Sequence, residues 1–166
     1  MAHSTQVSFS IPQRVIHWTM ALLIFFNLLF PDAMAHAYRL MRRGETLTPD
    51  QISSANIHAY VGFAVLFLAV LRFCLRLIQG VPSHPPEEPR FAQIAAKMAH
   101  FTLYALFFIL PLSGIAAYYF GVGAAGELHS GPFKVLMWVL IAGHVAAVLV
   151  HQFYWRTSLL RRMTHG

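Results

Sequence analysis

The sequence predicts an all-α membrane protein, a four-transmembrane-helix bundle with both termini cytoplasmic. Three observations lead there. Of 166 residues, 57% are hydrophobic and only 11% charged, roughly half the charged share of a soluble domain. The apolar residues gather in four stretches, 15–30, 52–78, 95–120 and 132–155, near the roughly 20 residues a helix needs to cross a bilayer. Histidines stand in or at the ends of these stretches: His17, His58, His100, His144 and His151. An ionisable ring is costly inside a membrane and marks a functional site there.

Each element has a local reason. Ser10-Ile11-Pro12-Gln13 fits a capping box and starts a first helix over about 12–30, which stops at Pro31-Asp32. Trp18 suits an interfacial aromatic. Residues 31–50 exceed a simple hairpin, and 33–43 predict a short amphipathic surface helix with Met34, Ala37, Tyr38 and Met41 apolar. Thr48-Pro49-Asp50-Gln51 is a second capping box with proline at the first helical position. The second helix then covers 49–79, roughly 45 Å, and projects beyond the hydrocarbon core. A proline-rich linker, Val81 to Pro89, cannot continue it. The third helix covers 90–120, with a kink expected at Pro111. Residues 121–131, with four glycines, read as a loop, and the last helix as 132–156. The whole of 1–166 reads as one domain. Ala33-Met34-Ala35 resembles a signal-peptide cleavage site, but three further spans anchor the chain in either case.

The net charge of +6 reads as topology, with no nucleic-acid partner expected. Four spans put Arg14, Arg72, Arg76, Arg90, Lys97, Arg156, Arg161 and Arg162 on the side of the termini, and Arg39, Arg42, Arg43 and Lys134 on the other. Eight cations against four make the terminal side cytoplasmic. Cys74, the single cysteine, reads as core filler. There is no C-x-x-C-H motif for covalent haem attachment, so any haem is held by axial ligands and packing.

Haem is the cofactor that imidazoles on several helices of a membrane bundle suit best. Two ligands must face each other at one depth. His17 lies near the cytoplasmic end of the first helix and His58 near the far end of the second. His129 and His144 are fifteen residues apart, a rise of roughly 22 Å that returns within about 60° of one face. The pairs are therefore His17 with His144 for a cytoplasmic haem and His58 with His129 for a periplasmic one. His129 precedes Gly131-Pro132, and a solvated loop histidine is its other reading. Gly62, Gly143 and Ala147 leave room for a flat macrocycle, or serve helix packing. His3, His36, His84 and His165 read as surface residues. No Asp or Glu falls in the membrane core, which argues against a di-iron carboxylate site, and a zinc site needs more convergent ligands.

The chain resembles the bacterial cytochrome b561 family of four-helix di-haem inner-membrane proteins. The matching residues are Ile16-His17-Trp18, Asn56-Ile57-His58 followed by Gly62, and Leu71-Arg72-Phe73-Cys74-Leu75-Arg76. Then come Ala99-His100, Leu110-Pro111-Leu112-Ser113-Gly114, Gly143-His144-Val145-Ala146-Ala147 and His151-Gln152-Phe153-Tyr154-Trp155. The likeness covers nearly the whole chain in order. It implies axial ligands at His17, His58, His144 and a histidine ahead of His144, a role His129 takes here. The family histidine usually lies fourteen residues before its partner, and here the gap is fifteen.

The resemblance also implies a multi-pass protein of the bacterial inner membrane with two non-covalent b-type haems. Its members include a superoxide oxidase that passes electrons from external superoxide to ubiquinone. On that reading Arg39, Arg42, Arg43 and Lys134 form an outer anion funnel, although Asp32, Glu45 and Asp50 share the loop. His151 and His100 lie in the vicinity of the quinone, as carbonyl partners or proton donors. Arg14 and Arg72, or Arg76, face haem propionates. The expected partners are membrane lipid, a quinone and superoxide, with a homo-oligomer or redox partner protein left open. The competing readings are an electron-transfer cytochrome b subunit linking the quinone pool to a dehydrogenase or soluble cytochrome, and a non-redox scaffold.

Overall fold

The computed structural model describes residues 8–83, 85, 88–157 and 159–165. The sequence readings of His3 and His84, and Pro86 and Glu87 of the linker, fall outside the described residues.

Among the described residues every regular element is a helix: α1 (Ile11–Leu29), α2 (Asp32–Arg42), α3 (Pro49–Gln79), α4 (Arg90–Phe120), α5 (Gly123–Leu128), α6 (Lys134–Phe153) and α7 (Leu159–Thr164). A π-helical segment, His129–Phe133, joins α5 to α6. Both predicted capping boxes form. Ser10 Oγ accepts from the Gln13 amide and Gln13 Oε1 from the Ser10 amide at 3.1 Å. Thr48 and Gln51 repeat the pattern at 3.3 and 2.9 Å. α2 is the expected surface helix, and α4 continues as a helix through Pro111.

Residues 121–131 are a correction. The sequence reads them as a loop, yet Gly123–Leu128 is helix; Gly121 and Val122 interrupt the helix before it, and Gly131, with non-helical φ −104° and ψ −106°, breaks it after. Gly121, at φ +67°, closes α4 in the left-handed conformation that glycine takes without strain. Gly126 is buried beneath Tyr38, where a Cβ would run into the phenol ring. Glycine here serves close packing of α2 on α5, which composition alone mistakes for loop character.

The helices run up and down between two ends. At the proximal end Ser10 Oγ donates to Gln79 Oε1 (2.6 Å) and Gln13 Nε2 to the Gly80 carbonyl (3.0 Å), tying the start of α1 to the end of α3. α7 folds back to the same end: the Phe9 amide donates to the Arg162 carbonyl and Trp18 Nε1 to the Met163 carbonyl. The distal end carries α2, whose Arg42 pairs with Glu127 of α5 at 3.1 Å.

The interior is thin. Met20, Val65 and Ala69 form one buried cluster, and Leu103, Leu106 and Met137 a second. No more than 17% of the apolar window of any long helix is buried, while Phe67, Phe101, Phe120 and Phe153 point outward. That is the distribution expected where lipid, and not water, is the solvent. Three helical stretches, α3, α4 and Gly123–Phe153, are long and apolar enough to span; α1 and α2, bent by 52°, make a fourth only when the pair is counted as one broken span. Cys74 is exposed on α3, contrary to its reading as core filler. In a bilayer the outward face is apolar too, so an apolar neighbourhood does not mark the interior.

Gln13 is buried, and its side chain serves both the cap and the α3 contact. Gln13→Ala should lower stability by about 1–2 kcal/mol, read as an earlier unfolding midpoint in detergent-solubilised protein.

Candidate haem centres

Two sets of histidines stand at opposite ends of the bundle. At the distal end His58 of α3 faces His129 of the π segment, with ring centroids 6.2 Å apart and planes at 74°. At the proximal end His17 of α1 faces His144 of α6 at 6.3 Å and 55°. His100 of α4 packs edge-on against His144 at 5.5 Å. The structure thus brings together both pairs that the sequence predicted.

Those separations suit a metal held between two rings. With metal–nitrogen bonds of roughly 2.0 Å and each centroid roughly 1.2 Å behind its nitrogen, axial imidazoles stand roughly 6.4 Å apart. Direct hydrogen bonding between the rings would bring them closer. The distal site carries two further signs of a missing neighbour: His58 Nδ1 and Asn27 Oδ1 are buried without a hydrogen-bond partner. Buried polar atoms seldom stay unsatisfied. His58 and His129 line an apolar cavity of about 350 Å³, with Gly62, Gly114, Tyr118 and Met137 among its walls. The residues present therefore fit a porphyrin with two imidazole ligands.

The chain is not one regular helix between His129 and His144. In a regular α-helix fifteen residues overshoot the starting face by about 60°. At Gly131, inside the π segment, the backbone leaves helical geometry (φ −104°, ψ −106°), so that phase does not carry across the break to His129. His129 opens that segment and is half-buried on the cavity wall, so the solvated-loop reading does not hold.

The charged residues divide. Lys134 lines the distal cavity with the histidines. Arg39 and Arg43 are exposed on and just after α2 and do not line it, and Arg42 is engaged with Glu127. At the proximal end Arg72 acts electrostatically on His17 and His144, and its Nε is buried with no hydrogen-bond partner. Arg14 donates through Nη1 to the Thr164 carbonyl, and its Nε is likewise unsatisfied. Arg72 and Arg76 both lie over the Tyr104 ring, at 5.9 and 5.5 Å from its centroid.

His151 is 4% exposed, with Nδ1 2.8 Å from Thr157 Oγ1 and Nε2 3.7 Å from Glu88 Oε1. Both ring nitrogens thus have protein neighbours. Glu88, in the proline-rich linker, is 5% exposed. Sequence reasoning missed Asn27, whose Nδ2 donates to the His58 carbonyl. Gly114, against which the His129 ring packs, is marked there only as part of the Leu110–Gly114 motif, with no role given to it.

Imidazoles facing one another inside a helical membrane protein point, as a class, to a b-type cytochrome. The comparisons bear out the class. Residues 8–166 match the family described as prokaryotic cytochrome b561. A cytochrome b562 of Cereibacter sphaeroides is 30% identical over 151 residues, covering 91% of each chain. The chain belongs to the prokaryotic cytochrome b561 family: multi-pass inner-membrane proteins that use b-type haem for electron transfer.

The Glu88 contact pins the linker to α6. Glu88→Ala should speed protease cleavage between residues 80 and 90 several-fold without altering haem content, measured on the holoprotein in detergent.

Proposed function

We propose that this chain is a di-haem b oxidoreductase that moves electrons from periplasmic superoxide to ubiquinone at the cytoplasmic side. The observation that carries the reading is the pair of imidazole couples, at 6.2 and 6.3 Å, at opposite ends of one bundle. α1, α3, α4 and α5–α6 are the four spans, and the cation excess places the proximal end and both termini in the cytoplasm. His58 and His129 ligate the periplasmic haem, and His17 and His144 the cytoplasmic one.

The two haems, when bound, supply the one-electron path between the ends. The chain's own residues do the rest. Lys134 holds positive charge in the distal cavity and attracts the superoxide anion, with Arg39 and Arg43 adding a weaker field from the surface. Arg72 and Arg14 offer unsatisfied guanidinium nitrogens to propionates at the proximal end. His100 and His151, beside the proximal pair and at the end of α6, lie where protons must enter. Two superoxide anions give two molecules of dioxygen, while one quinone takes two electrons and two protons.

One observation favours a second reading, an electron-transfer subunit for a partner dehydrogenase or soluble cytochrome. Arg39 and Arg43 are exposed outside the cavity and present a basic surface to an acidic protein.

His58→Ala and His144→Ala should each remove about half of the haem per protein, measured as pyridine haemochrome. Stopped-flow mixing with superoxide should reduce the wild-type pigment, and added ubiquinone should reoxidise it. Lys134→Gln should slow the first phase roughly tenfold and flatten its salt dependence. A pigment that stays oxidised under a superoxide pulse, yet is reduced by quinol, rejects the oxidase and leaves the carrier.

A further inference from the structure

The distal pair is held asymmetrically. His129 Nδ1 lies 2.9 Å from the Leu110 carbonyl of α4 and 3.2 Å from Ser113 Oγ. Ser113 Oγ itself donates to the Leu110 carbonyl at 2.8 Å. A carbonyl only accepts, so Nδ1 carries the ring hydrogen and Nε2 keeps its lone pair. Gly114, one residue further on, lets the ring lie flat against α4: a Cβ there would stand 3.0 Å from His129 Cε1 and 3.3 Å from Nδ1. Three residues of one helical turn thus fix the hydrogen, the plane and the position of a single imidazole. His58 has no such support, since its Nδ1 is buried without a hydrogen bond. Among the described residues no hydrogen bond reaches the ring nitrogens of His17 or His144 either.

We propose that the Leu110–Gly114 turn is a positioning clamp, in which the Leu110 carbonyl and Ser113 hydroxyl set the tautomer and ring plane of His129 and thereby the potential of the distal centre. The inference rests on the reading of His58 and His129 as axial ligands. A ligating imidazole that donates from its other nitrogen becomes a stronger base, which favours the ferric state. Ser113 and Leu110 are positioning residues that touch the ligand and never the reacting molecules. The clamp holds one of the two centres, so a single α4 turn makes the centres differ.

The test uses holoprotein carrying Ser113→Ala, Ser113→Thr and His129→Ala, with optical redox titration and EPR of the oxidised form. Low-spin EPR of a bis-imidazole centre reads the angle between the ring planes, here 74°. Ser113→Ala should keep both haems, shift only the distal EPR signal, and raise the distal midpoint. The rise should change the oxidised-to-reduced ratio roughly two- to tenfold at fixed potential, at most about 59 mV. Ser113→Thr, which keeps the hydroxyl, should restore both readouts. A Ser113→Ala protein with wild-type EPR and midpoint overturns the clamp. If Ser113→Ala instead loses the distal haem, recovery in Ser113→Thr upholds the hydroxyl's role and failure to recover overturns it. A His129→Ala protein that keeps both haems overturns the ligand assignment itself, a different failure from that of the clamp.

Discussion

An imidazole inside a hydrocarbon layer must find a partner for its nitrogens, and that constraint organises this bundle. Hydrocarbon offers no water, and the helical backbone already satisfies its own groups. The rings answer by facing one another across helices. At 6.2 and 6.3 Å they stand apart by about the width of a metal and its two bonds. His17 and His144 face each other between α1 and α6, and His58 and His129 between α3 and the segment before α6.

The interior is thin, and the distal cavity is walled by apolar side chains with Gly62, Gly114 and Gly126 among them. Hydrogen bonds at the helix ends compensate: Gln13 to Gly80, Asn27 to the His58 carbonyl, Trp18 to Met163. Each joins a side chain to a backbone carbonyl, the commonest way to satisfy polar groups where helices meet lipid.

The two ends solve different problems. The distal site is a cavity roofed by α2, with Tyr38 seated on Gly126 and Lys134 turned inward. The proximal site is more crowded: His17, His100 and His144 gather with Arg72, and the linker reaches over to place Glu88 beside His151.

The sequence by itself determined the helices and the pairing of the rings, because both are periodic. Capping boxes at Ser10 and Thr48 mark helix starts within a residue or two, since their bonds are local. Histidine spacing fixes depth along a helix, so the partners of His17 and His58 were legible once four stretches were counted. Tertiary structure decided what depends on contact across the bundle. Gly126 lies in a helix with Tyr38 packed on it, and a break at Gly131 separates His129 from the regular α6. Glu88 is buried only because the linker folds back onto α6. Outward and inward apolar faces look alike to a sequence, which is why Cys74 was misplaced.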